Sequence, residues 1–289
     1  MSFFISNKQA GRDGTERCAV PFLLPAAPLE MQRLTIPGSD EFGRILQDMF
    51  QIHNPGSEDD YYYFLPSGAM MMIYLLCPHQ SAAVLCGALT TMRRLCIPAG
   101  SSAFCVRLKA GCGDWLCGSG VYTLADRSAP LAQYHPAAEK LLQELMGTDS
   151  FRERDLAFFR FLSAQDAGAY QPMALLRRCV ELIHSQYGVT RVAELARTIG
   201  CSERYLNRIF QDRVGVSTKL YSEMVQLQAS LNGILTTHPK SLLNIAVTYG
   251  YFDQTHMNRS YRKFLGCTAS DMRYADYRSI HTDEIHMDF

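Results

Sequence analysis

Five polar side chains near the C-terminus recur at a spacing that places them on one face of a helix. They are Gln254, Thr255, Asn258, Arg259 and Arg262. At 3.6 residues per turn, Met257, Tyr261 and Phe264 form a separate apolar stripe that would face a core. Amide side chains can pair with adenine, and guanidinium groups can pair with guanine or bind phosphate. The polar face therefore has the chemistry of a nucleic-acid contact.

A helix must position this face, and the sequence indicates where that helix starts. Gly250 signals a turn, and Asp253 follows it as a good N-cap, so a helix is predicted to begin at about Gln254. His256 lies in the first turn of that helix. Its ring is expected to pack and hydrogen-bond within the turn rather than contact a base.

The same pattern occurs about fifty residues earlier, where Gly200 precedes the cap Ser202 with one residue fewer in the turn. Leu206 and Phe210 correspond to the apolar stripe of the second copy. The exposed positions of the first copy are Glu203, Arg204, Asn207, Arg208 and Gln211. Each copy is a short helix, a turn and a second helix, which is the helix-turn-helix pattern whose second helix enters the major groove. One copy alone is equally consistent with a solvated helical hairpin, and the repetition favours DNA.

The charge distribution supports a polyanion partner for this region. The chain of 289 residues is neutral overall, but residues 171–280 hold 14 Lys and Arg against 8 Asp and Glu. Lys219, Lys240 and Lys263 are predicted to lie within reach of phosphates, which position a protein on DNA without reading its sequence. Residues 281–289 are predicted to form an acidic tail.

Residues from about 175 to 272 resemble the DNA-binding domain of the AraC/XylS family of bacterial transcription regulators. The residues that carry the resemblance are Ile245, Ala246, Gly250, Asp253, Gln254, His256, Arg259, Tyr261, Phe264 and Gly266. The resemblance implies two helix-turn-helix units joined by a long helix around 217–235. That helix would present two recognition helices to major-groove segments about 34 Å apart.

The sequence departs from the family pattern at several positions. Thr218 and Ala269 stand where a proline is usual after each recognition helix. Gln226 and Ser230 replace an Arg and an Ala of the linking helix, and Gly233 is expected to weaken that helix by up to about 1 kcal/mol. These departures bear on affinity and rigidity rather than on the fold.

The first half of the chain predicts a different architecture. From Tyr61 to about Leu124, apolar runs alternate with Pro and Gly turns, which is typical of short strands. Helical spacing predicts helices over 41–53, 136–146 and 151–164. The predicted fold is an α+β domain with short strands followed by an all-α double helix-turn-helix domain. The predicted division is an N-terminal sensing or oligomerisation domain at 1–150, a helical linker at 151–171, the DNA-binding domain at 172–280 and the tail at 281–289.

The runs LPSGAMMMIYLL, VLCGALTT, VRLKAG and YTLADRSAPL are similar to an N-terminal domain of uncharacterised function that accompanies some of these DNA-binding domains. In the wider family such domains bind small molecules or mediate dimerisation. The resemblance therefore implies an effector-responsive regulator that binds double-stranded DNA, with a small-molecule effector, a homodimer and, for an activator, RNA polymerase as further partners. With no export signal and no apolar run long enough for a membrane span, the protein is expected to be cytoplasmic.

The ten cysteines leave an alternative open. They include no CxxC pair, so reduced packing thiols are expected, with no cofactor and no stoichiometric metal. Cys112 and Cys117 have four residues between them and still permit a thiol- or metal-sensing regulator. The nearby residues that could join such a site are Cys77, His79, Cys86, Cys96 and Cys105. An N-terminal enzyme fused to the DNA-binding domain is less favoured, because the sequence contains no nucleophile elbow, phosphate-binding glycine loop or HExxH motif.

Overall fold

The alternating apolar runs and turns of the first half fold into two antiparallel sheets in the computed structural model, which describes residues 4–6, 29–165, 167–237, 239 and 241–274. The strands are β1 (Phe4–Ser6), β2 (Glu30–Thr35), β3 (Leu46–His53), β4 (Asp60–Phe64), β5 (Met71–Leu76), β6 (Ala82–Cys86), β7 (Arg93–Ile97), β8 (Ser102–Leu108) and β9 (Ser128–Pro130). The large sheet has the order β2-β3-β8-β5-β6-β9, and the small sheet has the order β1-β7-β4.

Both faces of the large sheet are covered by apolar side chains. On one face, Phe50 and Ile73 belong to the same buried cluster as Tyr62 and Phe64 of the small sheet. On the other face, Phe104 and its neighbours pack against helices α2 (Ala138–Met146) and α3 (Phe151–Ala164). A strand buried on both sides needs apolar residues at every position, which explains the continuous run of β5.

The prediction of a helix over 41–53 is wrong. β3 occupies most of this segment and pairs with β2 on one side and β8 on the other. Met49, Phe50 and Ile52 are all buried because the strand lies inside the large sheet, and this nearly continuous burial also satisfies a helical spacing pattern. The prediction of strands as far as Leu124 is also wrong for its last part, which is helix α1 (Asp114–Cys117) and a 3-10 helix at Gly118–Leu124.

After Met173 the described chain is helical, as predicted. The helices are α4 (Ala174–Ser185), α5 (Val192–Ile199), α6 (Glu203–Val214), α7 (Thr218–Thr237), α8 (Leu242–Thr248), α9 (Gln254–Leu265) and α10 (Ala269–Tyr274). α5 with α6, and α8 with α9, are the two helix-turn-helix units, and α7 joins them. The predicted fold class is therefore confirmed. Among the described residues, none of the helices has the length and apolar character that a membrane crossing needs.

The residues of α7 that depart from the family pattern pack against the second helix-turn-helix unit. Gln226 Nε2 donates to the Tyr249 carbonyl at 2.8 Å, and Ser230 Oγ lies 3.1 Å from the Tyr261 hydroxyl. A Cβ at Gly233 would lie 2.5 Å from the Tyr249 ring, so only glycine admits this aromatic side chain. The helix-weakening glycine is therefore explained by close packing, and α7 is one continuous helix of 20 residues.

The two halves of the chain share part of a core. Tyr63, Leu65, Ala88 and Met92 from the strand-rich half belong to the same buried cluster as the C-terminal helices. Polar contacts reinforce the junction, because Gln228 Nε2 of α7 donates to the Pro66 carbonyl at 2.6 Å. α3 contributes Phe158 and Leu162 to the core beneath the large sheet, although it lies in the segment predicted as a linker.

The domain division stays a prediction, and a fragment tests it. Residues from Gln171 onward are expected to fold as a helical unit, because most of their shared cluster comes from α4 to α10. The fragment should unfold at a lower temperature than the same helices in the full chain, since it exposes apolar surface that Met92 and Leu65 cover. Circular dichroism during heating measures both properties, and a fragment without helical signal would refute the division.

Candidate nucleic-acid interface

Each recognition helix begins with the predicted side-chain cap. In α6, Ser202 Oγ accepts from the Tyr205 N–H at 3.2 Å, and in α9, Asp253 Oδ1 accepts from the His256 N–H at 2.6 Å. Such caps satisfy backbone donors that the first helical turn leaves unpaired. The predicted start at about Gln254 is therefore confirmed, and α6 begins in the same way directly after the cap Ser202.

Glycines end the helices at matched positions in the two units. Gly200 and Gly250 follow the first helices, and Gly215 and Gly266 follow the recognition helices. All four have φ between 74° and 89°, a left-handed conformation that costs a side-chain-bearing residue free energy. The duplicated glycines thus fix the direction of the chain before and after each recognition helix.

The turn before α9 is held by His256. Its Nδ1 accepts from the Phe252 N–H at 3.3 Å, and its ring packs edge-on against Tyr251 with 5.4 Å between the ring centroids. The prediction that this ring packs and hydrogen-bonds within the turn is confirmed. Because Nδ1 accepts this bond, the neutral ring carries its proton on Nε2.

Most of the predicted base-reading side chains lie on exposed faces. The exposed ones are Glu203, Arg204, Arg208, Gln211, Thr255, Arg259 and Arg262, and Gln254 is half-buried. The guanidinium groups of Arg204, Arg259 and Arg262 make no ion pair with any side chain that the structure describes. Arg208 lies over the Tyr205 ring, 5.2 Å from its centroid. Each recognition helix therefore presents unpaired cations to solvent.

The side chains of Asn207 and Asn258 are hydrogen-bonded within the protein rather than fully exposed. Asn207 Oδ1 accepts from the Thr218 N–H at 3.2 Å, and Asn258 Oδ1 accepts from the Ala269 N–H at 3.0 Å. The family pattern has a proline at the positions of Thr218 and Ala269, and a proline has no N–H to donate. The two departures are thus coupled: each unit lacks the proline and ties its recognition helix to the next helix through an asparagine. Bidentate adenine pairing would require the same Oδ1 to accept a second hydrogen bond.

The predicted phosphate-binding lysines converge on one carboxylate. Lys263 Nζ lies 2.5 Å from Glu223 Oε2, and Lys219 Nζ lies 3.8 Å from Glu223 Oε1. Lys240, the third predicted phosphate contact, lies outside the described residues. The sequence analysis missed Glu223, although its spacing of four residues from Lys219 on a helix is the signal of an ion pair.

Glu223 is expected to restrain non-specific DNA binding. In Glu223→Gln, Lys219 and Lys263 lose their competing carboxylate, so affinity for a scrambled duplex should rise and the salt slope should steepen by about one unit. Dissociation constants at several salt concentrations measure this effect. Glu144→Gln, which removes the same charge from an exposed ion pair with Arg160 in the strand-rich half, is the matched control. Equal changes in the two variants would contradict the expectation.

The strand-rich half contacts the C-terminal ends of both recognition helices. Arg213, in the last turn of α6, forms an ion pair with Asp114, which also accepts from the Tyr170 hydroxyl. The Met92 N–H donates to the Phe264 carbonyl near the end of α9 at 2.8 Å. No local pattern indicates these contacts, because each joins residues more than ninety positions apart in the sequence. The exposed faces at the other ends of the helices stay uncovered.

The interior between the sheets contains a buried charge cluster. Asp48 is 1% exposed and receives two hydrogen bonds from Arg107, at 3.1 and 3.2 Å, and one from Arg33. A cavity beside Arg107 has a volume of about 10 Å³, no more than one water needs. This cavity therefore has no room for an organic effector in the described conformation.

Cys112 and Cys117, whose spacing suggested metal or redox chemistry, are protonated thiols packed in the strand-rich half. Burial raises the pKa of Cys112 to about 12 and that of Cys117 to about 11, which disfavours the thiolate that metals and oxidants require. Among the described residues, no group of three or more His, Cys, Asp or Glu side chains is arranged to hold a metal ion.

Two capped recognition helices with exposed cations, joined by one continuous helix, define a double helix-turn-helix domain. Residues 195–275 match the family described as a helix-turn-helix domain. Over 102 residues the chain is 28% identical to the Msm operon regulatory protein of Streptococcus mutans. That match covers 35% of this chain and 36% of the relative, so the chain spans about a third of the length of that regulator.

Solved structures of ToxT from Vibrio cholerae are similar over more of the chain. ToxT of strain O395 has a TM-score of 0.41 and 11% identity, covering 85% of this chain and 97% of ToxT. Unsaturated fatty acid bound wild-type ToxT of strain SCE256 has a TM-score of 0.41 and 13% identity, covering 78% of this chain and 95% of ToxT. The fatty acid belongs to that ToxT structure, and a likeness at this level says nothing about a ligand of this chain.

Proposed function

We propose that the protein is a sequence-specific DNA-binding transcription regulator of the AraC/XylS family that acts in the cytoplasm. The observation that carries the proposal is the duplicated helix-turn-helix unit, in which both recognition helices present uncovered, unpaired arginines. No enzymatic activity is proposed. The strand-rich domain is proposed to bind a small-molecule effector or a second copy of the chain, and RNA polymerase is a partner if the regulator activates.

In the proposed mechanism, one set of side chains contacts base edges and another set contacts phosphates. Arg204, Gln211, Arg259 and Thr255 would face base edges in two major-groove segments, while Lys219 and Lys263 would exchange Glu223 for phosphate oxygens. α7 spaces the units, since 20 helical residues extend about 30 Å, close to one turn of DNA. Asn207 and Asn258 hold each recognition helix at its angle to the next helix.

Selection of duplexes from a random pool by the full chain tests the proposal. We expect a single enriched motif with two elements about one helical turn apart, because both units must contact one face of the DNA. The double variant Arg204→Ala with Arg259→Ala should fail to enrich that motif while keeping its helical circular dichroism. Enrichment of no motif by the unmodified chain would refute sequence-specific binding.

A further inference from the structure

Phe252 is the most exposed of the large apolar side chains that the structure describes, with 89% of its surface accessible. It lies in the turn between α8 and α9, immediately before the N-cap Asp253. Its neighbour Tyr251 is buried, so the chain places one aromatic ring in the core and the next in solvent. A phenylalanine left in water forgoes a favourable burial that a binding partner can supply.

The repeat identifies Phe252 as an insertion. In the first unit a single residue, Cys201, separates Gly200 from the cap Ser202, whereas two residues separate Gly250 from Asp253. Tyr251 corresponds to Cys201, because both pack against the helical core. Phe252 therefore has no counterpart in the first unit, and the fold of a helix-turn-helix unit does not require it.

The inserted residue is held in a defined position. Its N–H donates to His256 Nδ1 at 3.3 Å, while the His256 N–H donates to Asp253, so the turn and the first helical turn restrain each other. The side chain thus projects from an ordered turn at the N-terminus of α9. The N-terminal residues of a recognition helix are those that contact base edges in a helix-turn-helix complex.

The chemistry around Phe252 selects its partner. The neighbouring exposed side chains on α9, Thr255, Arg259 and Arg262, are polar or cationic and suit the hydrogen-bonding edges and phosphates of DNA. The apolar group on the major-groove edge is the 5-methyl group of thymine. We propose that Phe252 packs on a thymine methyl group and gives the second unit a thymine preference that the first unit lacks. This inference rests on the proposed function and adds a specificity-determining residue to it.

Uracil replacement in the selected duplex tests the contact, because uracil lacks only the methyl group. Each thymine is replaced singly, and dissociation constants are measured for the full chain and for Phe252→Ala. Replacement at one position should weaken binding by the unmodified chain about fourfold, because the complex then buries one apolar carbon fewer. The same replacement should have no effect on Phe252→Ala, while Phe252→Leu should keep part of the sensitivity. Val247→Ala, which trims an exposed apolar residue of α8 in the same unit, should keep all of it.

The remaining outcomes separate the inference from the proposed function. A selected motif in which every uracil replacement affects the unmodified chain and Phe252→Ala alike overturns the thymine contact and leaves sequence-specific binding intact. A motif without thymine in the second element overturns it as well, and so does a Phe252→Ala variant with unchanged affinity for the selected duplex. Failure of the unmodified chain to select any motif overturns the proposed function and this inference together.

Discussion

Arg259→Ala is expected to weaken binding to the selected duplex by about 1–3 kcal/mol and to relax its selectivity at one base pair. The guanidinium of Arg259 is exposed on α9 and has no ion-pair partner among the described residues, so its removal costs the free protein little. The lost free energy should therefore appear almost entirely as weaker DNA binding. Titrations against the selected duplex and single-base variants of it measure both the affinity and the selectivity.

Lys263→Ala is the matched comparison for Arg259→Ala. Lys263 follows Arg259 by one helical turn but pairs with Glu223, and its predicted partner is a phosphate. Its loss should weaken specific and scrambled duplexes alike and reduce the salt slope by about one unit. If both variants lose specific and non-specific binding in the same ratio, the exposed face of α9 does not read bases.

Asp48→Ala is expected to lower the free energy of unfolding by about 3–5 kcal/mol. Asp48 is the carboxylate that faces the guanidinium groups of Arg107 and Arg33 between the sheets, and all three are largely withdrawn from water. Its removal takes away a buried carboxylate that pairs with both guanidinium groups. Urea unfolding followed by circular dichroism measures the change, and the helical signal of the C-terminal domain shows whether the damage stays in the strand-rich half.

Asp149→Ala provides a control for that change. Asp149 also pairs with a buried arginine, Arg154, but its carboxylate is fully exposed. Arg154 keeps the Leu145 carbonyl and Gln51 as hydrogen-bond partners in the variant. Little loss of stability is expected, and a loss as large as that of Asp48→Ala would show that burial of the carboxylate is not the cause.

The sequence predicted the recognition helices well because their determinants are local. Ser202 and Asp253 act on a backbone group three residues away, and the glycines act on their own φ angles. The sequence also contained a signal for the asparagine bonds to Thr218 and Ala269. In both units the proline is replaced, and an asparagine stands eleven residues earlier. Recognising that signal requires the relative orientation of two helices, which a spacing pattern does not contain.

The strand-rich half was harder to predict for a physical reason. Helical and extended segments can be distinguished by periodicity only when one face is polar, and β3 is buried on both faces. The contacts of Met92 with Phe264 and of Asp114 with Arg213 depend on how the strand-rich half packs against the C-terminal helices. Nothing in either segment alone specifies its distant partner. For the same reason the pairing of Lys263 with Glu223, forty residues away, emerges only in the folded chain.

Met92 and Asp114 contact the C-terminal ends of the two recognition helices, whereas the N-terminal residues of such helices are those that contact base edges. Free-energy coupling between two binding sites is reciprocal, so any ligand that changes DNA affinity through these contacts has its own affinity changed by the same factor when DNA is bound. If the strand-rich half binds a ligand as proposed, bound DNA would change the affinity of that ligand by this factor. Promoters that bind the protein with different affinities would then reach half-occupancy at different ligand concentrations, without any difference in the protein.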